Sequence, residues 1–433
     1  MDIEVLKSLI LLKQAELPLI LKERDNPLPI DLRKIITVPG VRRCGKSMKM
    51  ALTANELIAR GVDKRRILWM GFDDERFYNM QIEEFDLILQ AYRELYPMIP
   101  LDQTYIFFDE IQLIKGWELF VLRLYKSYCK NIYISGSNAS MLGSELSTEL
   151  RGWPIEFETY PLSFREFCRF KDVDADGHLE SDVAAIKNAF ASYIELGGFP
   201  EVVQIDQPLL RLRVLHSYYE TLLLKDLAEH YGITNLTALR FFVKRLMANT
   251  TKPTSINSIY NDLKSQKIEV SRERLYQWAQ YVCQVFLFQP VYKFSYSLAE
   301  SARSQPKYYC VDTGLRSSVL IPHTSDAGKN LENIVFNHLW ANRGLNEVIT
   351  YYQATYECDF VVQCDTEIRA LIQVCRDMGD EATLERELRG LKAAHDATGC
   401  DKLLIITATK ADTITLKWGK VEVIPAWRWL LGR

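Results

Sequence analysis

The nine cysteines of this 433-residue chain form no C-x-x-C pair and no Cys/His set at zinc-ligand spacing. That absence argues against a structural zinc site and against dithiol redox chemistry. Several sit in apolar runs, Cys283 and Cys310 among them, as expected of reduced, buried thiols in a reducing compartment. No uncharged stretch reaches the length needed to span a bilayer. The N-terminal apolar run is interrupted by Lys7, Lys13 and Glu16 at helical spacing, and it lacks the basic start and small-residue cleavage site of a signal peptide. A net charge of only −3 supplies no global field to recruit nucleic acid, so such binding needs a local basic face. These absences predict a cytoplasmic protein with no membrane partner. What is present, 48% hydrophobic and 25% charged residues, describes a globular chain long enough for two to four domains.

Residues 36–50 read ITVPGVRRCGKSMKM. Gly40, Gly45, Lys46 and Ser47 fit G-x-x-x-x-G-K-[ST], between a buried strand and an amphipathic helix stopped by Gly61. Such a loop, here Gly40, Val41, Arg42, Arg43, Cys44, Gly45, Lys46, Ser47 and Met48, turns successive N–H groups and a helix N-terminus toward phosphates. Lys46 is expected to reach the β- and γ-phosphates of ATP, and Ser47 to supply a hydroxyl to Mg²⁺. Arg42 and Arg43 add charge near the nucleotide or face solvent or a neighbouring subunit.

The run QTYIFFDEIQ predicts a second buried strand ending in Asp109 and Glu110. Ligands gather at strand carboxyl ends in doubly wound sheets. There Asp109 is expected in the Mg²⁺ shell, with Glu110 polarising the attacking water, a residue that simple nucleotide occupancy does not need. A third strand, NIYISGSN, ends in the polar tip Ser137–Asn138; Ser137 and Asn138 are candidates for the γ-phosphate or the water, although Gly-Ser-Asn is also an ordinary turn. Another strand carries an acidic tip at Asp73, Asp74 and Glu75. Strands alternating with helices to about residue 160 predict a parallel α/β sheet.

The segments FFDEIQLIKGWELFVLRL, ISGSNASML, YPLSFREF, ELGGFPEVV and LLLKDLAEHYGI, in this order, resemble AAA+-type ATPases. These carry an AAA_14-like core and a C-terminal DUF4143 region, and the resemblance runs from about residue 15 to the end. It implies a P-loop core of the additional-strand, catalytic-glutamate division, a helical and winged-helix middle, and a C-terminal domain similar to restriction endonucleases. The expected division is 1–170 P-loop ATPase core, 171–250 helical lid-like subdomain, 251–320 winged helix-turn-helix and 321–433 nuclease-like α/β domain. Related proteins have Gly-Arg before YPLSF; here Gly152-Trp153 stands there, and Arg151 is the substitute candidate. An arginine at the transition state is worth on the order of 10³–10⁵ in rate, so its loss would leave a slow ATPase.

The middle reads as helices broken at Gly197, Gly198 and Pro200, with Lys225 and Asp226 either near a nucleotide or on a solvated surface. Beyond it, a helix from about Ser255, a helix capped by Ser271 and two strands suggest the winged shape. If that shape reads DNA, Arg272, Arg274 and Gln277 would enter the groove, and Lys264, Lys267 and Lys293 would meet phosphates; Glu269 and Glu273 dilute that face, and winged helices also pack against proteins. The C-terminal order αβββαβ places Glu332 and Asp359 at two nuclease positions. Gln373-Val374-Cys375 stands where Glu-x-Lys is expected, and Asp377 is offset by two residues, so cleavage is not expected. The leading function is an ATP-hydrolysing switch or motor acting on a partner, with DNA, a protein or a homo-oligomer open. A nucleotide-regulated binding protein and an ATP-gated nuclease are the alternatives.

Overall fold

Four short apolar runs and one edge segment become strands: β1 (Ile35–Pro39), β2 (Ile67–Gly71), β3 (Tyr105–Asp109) and β4 (Ile132–Gly136), then β5 (Pro154–Glu156). In the computed structural model, which describes residues 1–138, 152–321, 326–379 and 381–433, they form one parallel sheet ordered β2-β3-β4-β1-β5. β4 therefore lies between the strand entering the glycine loop and the strand bearing the acids. Alternate side chains of β1 to β4 enter two separate cores. Leu68, Met70, Ile106, Phe108, Ile132 and Ile134 pack in one of them, under helices α1 (Ile3–Glu16), α3 (Phe85–Leu95) and α4 (Trp117–Ser127). On the opposite face Trp69, Phe107 and Tyr133 stack across three strands, with centroids 5.0 and 4.7 Å apart. Helix α2 (Lys46–Ala59) covers them with Met50, Ala51, Ala54 and Leu57. A sheet buried on both faces needs continuous apolar runs, which is what these strands have.

The chain divides into two compact units, Met1–Tyr160 with Gln284–Phe286, and Pro161–Cys283 with Leu287–Arg433. The second unit begins with helices Phe164–Phe170, Glu180–Leu196, Pro200–Gln204 and Pro208–Thr221. The last continues as a π-helical stretch, Leu222–Glu229, in which Lys225 is exposed and Asp226 half-buried. Helices Ile256–Ser265 and Arg272–Gln284 follow, with Ser255 capping the first through Ser258 N–H and Ser271 meeting Arg274 N–H (3.3 Å). Next come β6 (Phe288–Val291) and β7 (Lys307–Cys310), an antiparallel pair.

The remaining strands are β8 (Glu347–Gln353), β9 (Glu357–Cys364), β10 (Glu367–Cys375), β11 (Leu403–Thr407), β12 (Asp412–Leu416) and β13 (Gly419–Pro425). They make a mixed sheet ordered β12-β13-β11-β10-β9-β8, with β8, β9 and β10 antiparallel and β10, β11 and β13 parallel. Helix Glu381–Thr398 buries Leu391 and Ala394 on one face; Leu331, Val335 and Phe336 from the helix Asp326–Ala341 fill the other.

Candidate functional site

Gly40 and Gly45 are required by geometry. A side-chain carbon on Gly40 would lie 2.1 Å from the carbonyl oxygen of Thr159, and Gly45 adopts φ +104° at the start of α2, a conformation that strains other residues. No side chain caps this helix end, so its first N–H groups remain available to an anion. The loop is held from behind. Cys44 Sγ donates to Thr159 O (3.2 Å), while Arg24 donates to Cys44 O (3.0 Å) and Tyr160 O (2.9 Å). Burial pushes the Cys44 thiol up, so it stays neutral. Within the loop Arg42 is half-buried, whereas Arg43 and Met48 face outward.

Lys46 is only 4% exposed. Its ammonium donates to Gly40 O (3.2 Å) and Val41 O (3.3 Å) and lies 3.4 Å from Glu110 Oε1. Burial opposes its charge, but the Glu110 carboxylate outweighs that and the pKa is raised. Glu110 is placed by an unusual backbone: φ +51° swings it back from the end of β3, a strained choice typical of working sites. Burial pushes its pKa up, yet Lys46 and Arg42 prevail and hold it below the usual range. Gln112 Nε2 donates to its other oxygen.

Asp109 accepts from the hydroxyls of Ser135 and Ser47. Burial nevertheless raises its pKa, so this carboxylate lacks a full counter-charge. Ser135 was missed by sequence reasoning, although a hydroxyl in the apolar run IYIS was the available signal. Its Oγ also accepts from Glu110 N–H (3.1 Å) and thereby ties both acids to β4. The loss of a hydrogen bond to a charged group costs about 1.5–3 kcal/mol. Ser135→Ala is accordingly expected to lower stability by about 1.5–3 kcal/mol, which urea denaturation followed by circular dichroism checks.

Ser137 and Asn138 are buried just beyond β4. Arg151 lies outside the described residues. Trp153, at the expected arginine position, lies 5.3 Å from the Tyr125 ring with Lys34 Nζ 5.6 Å from its own centroid, a packing role.

Residues 32–168 match the AAA domain model. Residues 187–325 match a domain of unknown function, DUF8612, rather than the DUF4143 region that the sequence motifs suggested. An uncharacterized protein of Methanocaldococcus jannaschii is 29% identical over 418 residues, covering 94% of this chain and 90% of the relative. An uncharacterized protein of Haemophilus influenzae is 28% identical over 404 residues, covering 93% and 94% respectively. The AAA match supports a P-loop NTPase-like core and an ATPase-like protein that binds nucleotide. Among the described residues no helix is long and apolar enough to cross a membrane.

The C-terminal acids form a second constellation. Lys307 on β7 is fully buried, with its ammonium 2.6 Å from Glu357, 3.4 Å from Glu332 and 3.6 Å from Asp359. Two residues on, the Tyr309 hydroxyl donates to Glu332 (2.7 Å). Burial opposes the lysine's charge, but the three carboxylates overcome it and its pKa is raised. Val374 N–H donates to Asp359 Oδ2 (2.8 Å), and Gln373 bridges Asp359 N–H (3.3 Å) and Glu387 (2.5 Å). Cys375, its thiol pushed up to about 11 by burial, donates to Asp377 O (3.0 Å). The Asp377 carboxylate accepts from Gly379 N–H (2.9 Å).

Proposed function

We propose that this protein binds and hydrolyses ATP at the loop Gly40–Met48 and passes the change to a partner through its second unit. The observation that carries the reading is the convergence of Lys46, Ser47, Asp109 and Glu110. An ammonium, a hydroxyl and two carboxylates from the end of β3, one strand removed, meet beside uncapped helix N–H groups. The buried Asp109 carboxylate, hydrogen-bonded by two neutral hydroxyls, fits a cation: Ser47 and Asp109 would hold Mg²⁺, which supplies charge neutralisation across the phosphates. Lys46 and the loop amides bind and orient the triphosphate, and Glu110 aligns water for in-line attack on the γ-phosphorus. A γ-phosphate competes with Glu110 for Lys46, so nucleotide arrival frees the carboxylate for the water. That exchange is the switch. Asn138 is retained as a candidate beside the water, and Arg151 as the candidate arginine.

Nucleotide titration tests this. Wild type is expected to take up one Mg·ATP per chain, and Lys46→Ala to bind at least about tenfold more weakly, one charge-assisted contact being worth about 1.5–3 kcal/mol. No uptake by wild type sinks the reading.

For the partner, exposed Arg272, Arg274, Gln277, Lys264 and Lys267 on and between two helices ahead of an antiparallel pair support a winged-helix contact with DNA. The carboxylates Glu332, Glu357 and Asp359 are proposed as a structural ion network, since Lys307 already supplies the cation that a nuclease centre would take as metal. Plasmid incubated with magnesium is expected to stay intact with wild type and with Asp359→Ala alike.

A further inference from the structure

A cavity of about 630 Å³ in the second unit is lined by His178, Lys187, Thr409, Trp427, Arg428 and Arg433. It lies outside the carboxyl ends of the parallel neighbours β11 and β13, where Thr407 pairs with Pro425. Thr409 and Trp427 each follow two residues later, at the strand ends where α/β sheets collect ligands. The cavity lining includes the cationic side chains Lys187, Arg428 and Arg433. Arg433 donates to Ala175 O (3.0 Å) and Gly177 O (3.0 Å), and to His178 Nδ1 (2.5 Å). Because a guanidinium can only donate, His178 Nδ1 is the acceptor in this contact. Lys187 and Arg428 are exposed, with Lys187 Nζ 5.9 Å from the centroid of the Trp427 ring. The nearby carboxylate of Asp176 is already held by Arg165 through both oxygens (2.9 and 3.0 Å).

Several cationic or N–H donors, a hydroxyl and an indole around a space of ligand size call for an anion that also carries a planar ring. We propose that this pocket binds a nucleotide, its phosphate held by Lys187 and Arg428 and its base against Trp427. Neither the ATPase reading nor the loop at Gly40 is needed for it. A free nucleotide and the phosphorylated end of a nucleic-acid strand present the same chemistry.

The test weakens the first site with Lys46→Ala and measures equilibrium binding of labelled AMP, of a 5′-phosphorylated oligonucleotide and of inorganic phosphate. Saturable uptake of one AMP or one strand end per chain is expected, weakened at least about tenfold by Lys187→Glu, by Arg428→Glu and by Trp427→Ala. The two charge reversals sit on exposed side chains, and circular dichroism confirms folding. Tighter capture of the oligonucleotide assigns strand ends, and tighter capture of AMP assigns free nucleotide. No saturable uptake, uptake unchanged by both reversals, or AMP bound no better than phosphate overturns the proposal.

Discussion

Glu110→Gln is expected to lower steady-state phosphate release at least about a hundredfold while leaving Mg·ATP binding intact. Glutamine preserves the shape and the hydrogen bond from Gln112 but cannot accept a proton from water, and general-base assistance is worth typically 10²–10⁴ in rate. Binding should hold or tighten, because Lys46 loses the carboxylate 3.4 Å from its ammonium and is left for the phosphates. That split between turnover and affinity distinguishes a base from a binding residue. Equal, background-level release by wild type and variant, with binding retained in both, would remove the enzyme reading and favour a protein that uses ATP only to hold a conformation.

Why the acids were legible and their supports were not follows from distance along the chain. Gly40, Gly45, Lys46 and Ser47 act through local backbone geometry, so their spacing is the signal, and Asp109–Glu110 terminates an unmistakably apolar run. The order β2-β3-β4-β1-β5 is consistent with the parallel core that the alternating elements predict. Ser135 and Arg24 act across 25 and 20 residues, and their roles exist only after folding. Strand β5 was hidden because an edge strand of three residues, half-exposed to exposed, has no apolar period to read. The π-helical turn at Leu222–Glu229 is equally invisible, since a few residues of wider winding keep almost the same amphipathic pattern. Lys307 is the sharpest example. The expected lysine was sought two residues beyond Gln373, whereas the ammonium beside these acids comes from β7, and period-two alternation turns it and Tyr309 to one face.

Lys307→Met should therefore destabilise the second unit by about 3–5 kcal/mol, the loss expected when one partner of a buried ion network is removed. Urea denaturation followed by circular dichroism is the measurement. The pH dependence gives the mechanism its signature. Burial raises the pKa of Asp359 and of Glu332 even with the ammonium present, and removing that charge raises them further. Such acids hold protons in the folded state that the unfolded chain has already released, so the penalty grows as pH rises above the unfolded carboxylate range near 4. Lowering the pH should return part of the stability to the variant. Adding Asp359→Asn and Glu332→Gln to Lys307→Met should do the same at neutral pH, because no uncompensated charge then stays buried. If the single variant melts like wild type at pH 7 and 5 alike, Lys307 does not neutralise these carboxylates, and the metal-bound, nuclease-type arrangement returns as the better account of them.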